Sequence, residues 1–309
     1  MLTENNKHME SGTTHLLGML RERITKMTED GKWQEAISSS ATLVEKARGS
    51  LAGGDIESLV QLAEALETRG DVLRMSGYLE EARLTYIEAL ELLNGRVEFT
   101  EQLARISASL GVLYDTVESD QEAITFYHRS IELYERLGAE HQGSIADICN
   151  NLGFIYRALG HYDEGEKLFL KALEISNTVY GSEHERTATV CNNVGALYLA
   201  TGNDESAREM LSLGLETREE VLGKNHPDTG QSHSNLALCM VQMGNKKAAK
   251  EHFVKAVQIF ESHIKTEGHE YSAVIENYVE FLRQSGEENL AYNILKKSQK
   301  RLKKIGLIR

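Results

Sequence analysis

Cys149-Asn150-Asn151-Leu152-Gly153-Phe154-Ile155-Tyr156-Arg157-Ala158-Leu159-Gly160, followed by Gly165 and Phe169, is the stretch that decides the fold. Its skeleton is Cys149-x2-Leu152-Gly153-x2-Tyr156, a glycine stop, then a small residue and a bulky one four positions later. The same columns read Ser107, Leu110, Gly111 and Tyr114 one unit earlier. One and two units later they read Cys191, Val194, Gly195 and Tyr198, then His233, Leu236, Ala237 and Met240. The spacing is 42 residues each time, and Val279 continues the small-residue column. Bulky Tyr127, Phe169, Leu211, Phe253 and Leu295 follow that column by 16 residues. Each is preceded, four positions back, by Ala123, Gly165, Ala207, Ala249 or Ala291. A looser copy runs through Gly70, Leu73, Gly77, Ala82 and Tyr86, and a weaker one through Ile24, Gly31, Ala36 and Leu43.

Within a unit the apolar residues recur at three- and four-residue steps, the period of a helix. Leu152, Ile155, Tyr156 and Leu159 make one stripe, and Leu168, Phe169, Ala172, Leu173 and Ile175 make the next. Gly77, Gly160, Gly202, Gly244 and Gly286 fall at one place between the halves, where a left-handed helix cap favours glycine. Each unit is therefore a pair of helices. Gly111, Gly153 and Gly195 sit inside the first helix, where glycine costs about 1 kcal/mol relative to alanine. Close approach of the partner helix is the expected offset. The expected fold is all-α: a right-handed superhelical solenoid of about seven antiparallel helix pairs. A quasi-one-dimensional array of this kind presents a long binding surface.

The pattern is similar to the tetratricopeptide signature W-x2-L-G-x2-Y. At 42 residues the unit exceeds the usual tetratricopeptide length of about 34. The connecting stretch Leu222-Gly223-Lys224-Asn225-His226-Pro227-Asp228-Thr229, with Asn235-Leu236-Ala237 after it, resembles the kinesin light chain type of repeat. Echoes are Tyr180-Gly181-Ser182-Glu183-His184 with Asn192-Asn193, and Leu137-Gly138-Ala139-Glu140-His141 with Asn150-Asn151. The likeness is close over residues 105–295 and loose over 16–104. It implies a cargo-adaptor type of protein whose concave groove receives extended peptides. The heptads by which kinesin light chains pair with a motor chain do not occur before residue 60.

In the tetratricopeptide family one face of each first helix lines the concave surface. Carried onto this chain, that face includes Arg105, Asp147, Asn150, Phe154, Arg157, Asn192, Leu199 and Leu238, with Asn151, Asn193, Asn235 and Asn277 beside it. Asparagine offers a donor and an acceptor together, which suits a peptide backbone. The same amides could instead bridge neighbouring helices inside the array. Phe154, Leu199 and Leu238 would contact partner side chains. Two basic residues placed to clamp a terminal carboxylate are missing, since the positions read Asn150/Phe154 and Asn192/Ala196.

The remaining composition narrows the function classes. The formal net charge is −13, against general nucleic-acid binding. Yet seven basic residues and no acid occupy 296–309, where Lys297, Lys300, Arg301 and Lys304 are candidates for contact with an anionic partner. A basic capping helix over about 288–309 is the plainer account. No apolar run near 18 residues and no leader are present, so a protein without a membrane span, resident in the cytoplasm, is expected. Residues 1–13 read as a loose tail and 14–309 as one solenoid. Cys149, Cys191 and Cys239 read as small buried hydrophobes. His141, His184, His226 and His269 recur in the inter-unit turns, too far apart for one metal ion, and read as structural groups at helix ends. No catalytic, cofactor or metal site emerges. The leading expectation is a non-catalytic scaffold for a protein or peptide partner. Self-assembly through terminal repeats and a peptide-sensing regulator are the alternatives.

Overall fold

A computed structural model describes the backbone of residues 2–51 and 55–307, with side chains from residue 14 onward in those ranges. Fourteen α-helices occur among the described residues, and no strand. They are α1 (Leu2–Glu29), α2 (Trp33–Ser50), α3 (Ile56–Met75), α4 (Leu79–Leu93), α5 (Thr100–Thr116), α6 (Asp120–Leu137) and α7 (Gln142–Ala158). Then come α8 (Tyr162–Val179), α9 (Glu185–Ala200), α10 (Asp204–Val221), α11 (Pro227–Gln242), α12 (Lys246–Ser262), α13 (Gly268–Gln284) and α14 (Glu288–Lys304). These are the seven pairs legible in the repeat. The stretch 1–13, expected as a loose tail, is helical backbone from Leu2 onward, and its side chains lie outside the described residues. The end of the expected cap, 308–309, also lies outside them.

The chain forms two compact units, Met1–Ile148 and Cys149–Arg309, divided within α7. In the first, α1 to α6 pack consecutively and the first helices of successive pairs also touch, α1 on α3 and α3 on α5. In the second, α8 to α14 pack the same way, with α9 on α11 and α11 on α13. Contact between alternate helices places α1, α3 and α5 on the inner side of their unit, and α9, α11 and α13 on the inner side of theirs. Tyr86, Leu66 and Leu93 are fully buried in the first core; Leu211, Phe253 and Leu282 are fully buried in the second.

Why the helices pair so closely is visible at the small-residue column. A Cβ built on Gly111 would lie 2.5 Å from Tyr127 Cδ1, and one on Gly153 would lie 2.8 Å from Phe169 Cδ1. At Gly195 the corresponding atom is Leu211 Cγ at 2.6 Å. The bulky residue 16 positions on fills the space that a side chain would need.

The turn inside each pair is a repeated helix stop. His161 N–H donates to the Tyr156 carbonyl at 2.8 Å, and Asn203 to Tyr198 at 2.9 Å. Gly160 and Gly202 stand in the left-handed region, with φ of +77° and +76°. This is the 6→1 closure of a Schellman cap. The third pair makes the same closure, Ser119 N–H to Tyr114 O at 2.9 Å, but with Glu118 at φ +56° where the other turns have glycine.

The turns between pairs give two of the four recurring histidines a capping role. His184 Nδ1 accepts from Arg186 N–H at 3.1 Å, capping α9, and His226 Nδ1 accepts from Asp228 N–H at 3.2 Å, capping α11. Thr187 and Thr229 hydroxyls close the same turns onto the Gly181 and Gly223 carbonyls at 2.7 and 2.9 Å. Pro227 takes the first position of α11, where its missing N–H removes nothing. The three cysteines are buried.

Candidate peptide groove

The second unit carries most of the expected groove. From Cys149 onward α7 presents Asn150, Phe154 and Arg157; α9 presents Asn193, Ala196 and Leu199; α11 presents Asn235, Leu238 and Val241. Phe154 is 47% exposed although its neighbours Gly153 and Ile155 are buried. The Arg157 guanidinium lies 5.0 Å from the centre of the Phe154 ring, a cation–π contact that holds both side chains. Burial draws the Arg157 pKa below its ordinary value. Leu199, Leu238 and Val241 are partly exposed on successive first helices, which continues an apolar surface from Phe154.

The asparagines are where the expectation divides. Asn193 Nδ2 donates to Asn150 Oδ1 at 2.8 Å, and Asn235 Nδ2 donates to Asn192 Oδ1 at 3.2 Å. Two amides of the repeated column, Asn193 and Asn235, thus reach back to the preceding unit's neighbouring column. Asn192 is only 1% exposed, so its assignment to a ligand surface is corrected: it is a brace between α9 and α11. Asn150 spends its carbonyl the same way but stays partly exposed, as do Asn151, Asn193 and Asn235. The ladder ends at α13, where the acceptor column reads Ser234 and Asn277 is fully exposed. A buried amide pairs with its neighbour because an unpaired one would cost about 1–3 kcal/mol.

Arg105 and Asp147 belong to the first unit. Arg105 forms a two-pronged ion pair with Glu67, Nε to Oε1 at 3.1 Å and Nη2 to Oε2 at 2.7 Å, so its role is a bridge between α3 and α5. Arg21 and Glu64 pair likewise between α1 and α3. Tyr86 donates to Asp71 at 2.6 Å. Burial raises the pKa of both Glu67 and Asp71 above the usual carboxylate range. The inner side of this unit is thus a net of charges engaged with one another, and Asp147 is exposed.

Two buried polar groups escaped the sequence reading. Arg218 on α10 is 2% exposed and donates to the Asp228 carbonyl and Ser232 Oγ, both at 2.9 Å, and to Thr189 at 3.2 Å. It ties α9, α10 and α11 together through hydroxyls and a carbonyl. His233, in the column that holds cysteine in two other units, meets His252 of α12 with Nδ1 atoms 3.0 Å apart and Glu219 of α10 at 3.5 Å. Burial, followed by the charges of His252 and Lys255, pushes its pKa down to about 3. Nothing in the spacing alone marks either cluster.

Among the basic candidates, Arg301 pairs with Glu261 of α12, whereas Lys297, Lys300 and Lys304 are exposed on α14. No helix among the described residues is long and apolar enough to cross a membrane. None of their His, Cys, Asp and Glu side chains gather in threes as metal ligands would.

Paired helices with a small residue facing a bulky one, joined by the same capped turn, are the build of tetratricopeptide repeats, and this chain carries such repeats. The tetratricopeptide repeat family model matches residues 144–219 and 192–262. The chain is similar to BtubC (BKLC) from P. vanneervenii at 26% identity and a TM-score of 0.66, over 75% of this chain and 92% of that one. It is similar in fold to apo RapI, with 15% identity, a TM-score of 0.69, and coverage of 94% and 77%. A Rap protein complexed with competence and sporulation factor gives 15% identity, a TM-score of 0.66 and the same coverage. No curated protein matches the sequence.

Proposed function

We propose that the chain is a non-catalytic scaffold or adaptor whose second unit receives an extended peptide or a partner helix. The observation that carries this reading is the exposed Phe154 ring held against Arg157 on α7, with Leu199, Leu238 and Val241, partly exposed while packed on the core of the second unit, on the next two first helices. Arg157 beside Phe154 supplies a cation, and the outward groups of Asn150, Asn151, Asn193, Asn235 and Asn277 supply backbone partners. Asn192 keeps the spacing of α9 and α11 and stands outside the contact set. The fold of the Rap protein complexed with competence and sporulation factor supports such use of the architecture. The kinesin light chain character of the repeat is part of the proposal, supported by His226, Pro227 and Thr229 in the inter-pair turn.

Purified partner captured with the wild type should bind a Phe154→Ala/Leu238→Ala variant at least about 10-fold more weakly by calorimetry. Loss of two buried anchors has that order of effect. An unchanged Kd, with the variant's helix content intact, removes the groove from the function.

A further inference from the structure

The second helices of the last two pairs form a basic outward face. Lys250 pairs with Glu287 just before α14, and Arg301 of α14 pairs with Glu261 near the end of α12. These two ion pairs, one near each end, set α12 and α14 side by side and parallel. Outward from them stand Lys247 and Lys255 of α12 and Lys296, Lys300, Lys303 and Lys304 of α14, all exposed and without an ion pair among the described residues. A shallow cleft of about 490 Å³ runs along α12, lined by Lys247, Lys250, Glu251, Val254 and Lys255. Beside the α14 lysines Tyr292 is 62% exposed, with Lys296 Nζ 5.9 Å from its ring centre. Val254 of α12 and Tyr292 of α14 are the exposed apolar side chains set among these cations.

The complementary surface is on the same chain. Residues 55–137 contain 17 acidic and 7 basic residues, none of them lysine. On the second helices there, Glu81 and Glu91 of α4 and Glu122 and Glu132 of α6 are exposed and carry no ion pair among the described residues. We propose that the α12/α14 lysine face docks on the acidic α4/α6 face of a second copy of this chain. A second copy carries the same formal charge of −13, so the pairing rests on local complementarity, exposed lysines of α12 and α14 against exposed carboxylates of α4 and α6, and not on net charge. If the pairing is reciprocal it closes a dimer; if single, it leaves an open chain.

Sedimentation velocity tests this at about 20 mM and about 0.5 M salt, concentrations on either side of effective screening. The weight-average mass should at least double at low salt and return to the monomer at high salt. Lys296→Glu/Lys300→Glu/Lys304→Glu should be monomeric at both, and so should Glu81→Lys/Glu91→Lys/Glu122→Lys/Glu132→Lys. Mixing the two variants should restore association at low salt, which a folding defect in either could not produce. A wild type that stays monomeric, or a mixture that does, overturns the proposal. So does a monomer that binds phosphatidylserine vesicles or duplex DNA through these lysines, an outcome that gives the face to another partner.

Discussion

At Glu118 the chain departs from its own rule, since a side chain sits at φ +56° where six sister turns place glycine. The cap still closes, so the backbone geometry is imposed by the repeat and the residue bears the strain. Replacing Glu118 by glycine should therefore stabilise the protein by about 0.5–1 kcal/mol, the cost of a left-handed non-glycine residue less glycine's entropy in the unfolded chain. Chemical denaturation checks this; a lower midpoint would mean that Glu118 makes a contact worth more than the strain. His233 is the second residue-scale case. Its folded pKa lies near 3, below the ordinary 6.5, because burial and then the neighbouring His252 and Lys255 oppose a proton. A depressed pKa contributes stability that is complete above the unfolded value and is lost as pH falls toward the folded one. Stability should thus decline between about pH 6.5 and 3, by up to about 1.4 kcal/mol per pH unit from this one group. Denaturant midpoints measured across that range should fall less steeply for His233→Phe, and identical slopes would show that the decline belongs to the carboxylates.

Between elements, the braces decide how the array holds its spacing. Asn192 and Asn235 join α9 to α11 through one hydrogen bond, Asn235 Nδ2 donating to Asn192 Oδ1 at 3.2 Å, with Asn192 shut away from water. Removing either alone strands the other's polar group, so the single alanine variants should each cost about 1–2 kcal/mol and the double variant less than their sum. A coupling near zero in the thermodynamic cycle would mean that the pair is geometric only. The existence of the seven pairs, their turns and their glycine contacts was legible because periodicity and steric need leave marks in every copy. The braces were legible only as an alternative, because Asn192 and Asn193 lie about 100° apart on one helix and the sequence does not say which turns toward the next. Arg105 was placed in the groove for the same reason: its partner Glu67 lies 38 residues away, on a column that reads equally well as solvent-facing acid. The lysines of α12 stand outside the repeat signature, which carries no mark of which of them face outward together.

Over the whole molecule the repeat architecture separates jobs along the chain. The first unit spends its inner charges on itself through Arg21–Glu64, Arg105–Glu67 and Tyr86–Asp71, while the second leaves apolar side chains and amides open. In the proposed groove, binding and internal bracing would compete for the same inner positions, with the residue type at each repeat settling the contest locally. Stability should be distributed just as locally, because each helix pair is packed chiefly by its neighbours. Gly195→Leu puts a side chain where Leu211 Cγ already lies 2.6 Å from a mere Cβ, an overpacking expected to cost about 1–3 kcal/mol. In hydrogen exchange, amides of α9 and α10 should lose the most protection, those of α11 and α12 less, and those of α1 to α4 little or none. The gradient is the diagnostic feature. Equal acceleration in every helix would instead make the chain one all-or-none unit, in which bracing in one repeat cannot be traded for binding in another without cost to the whole.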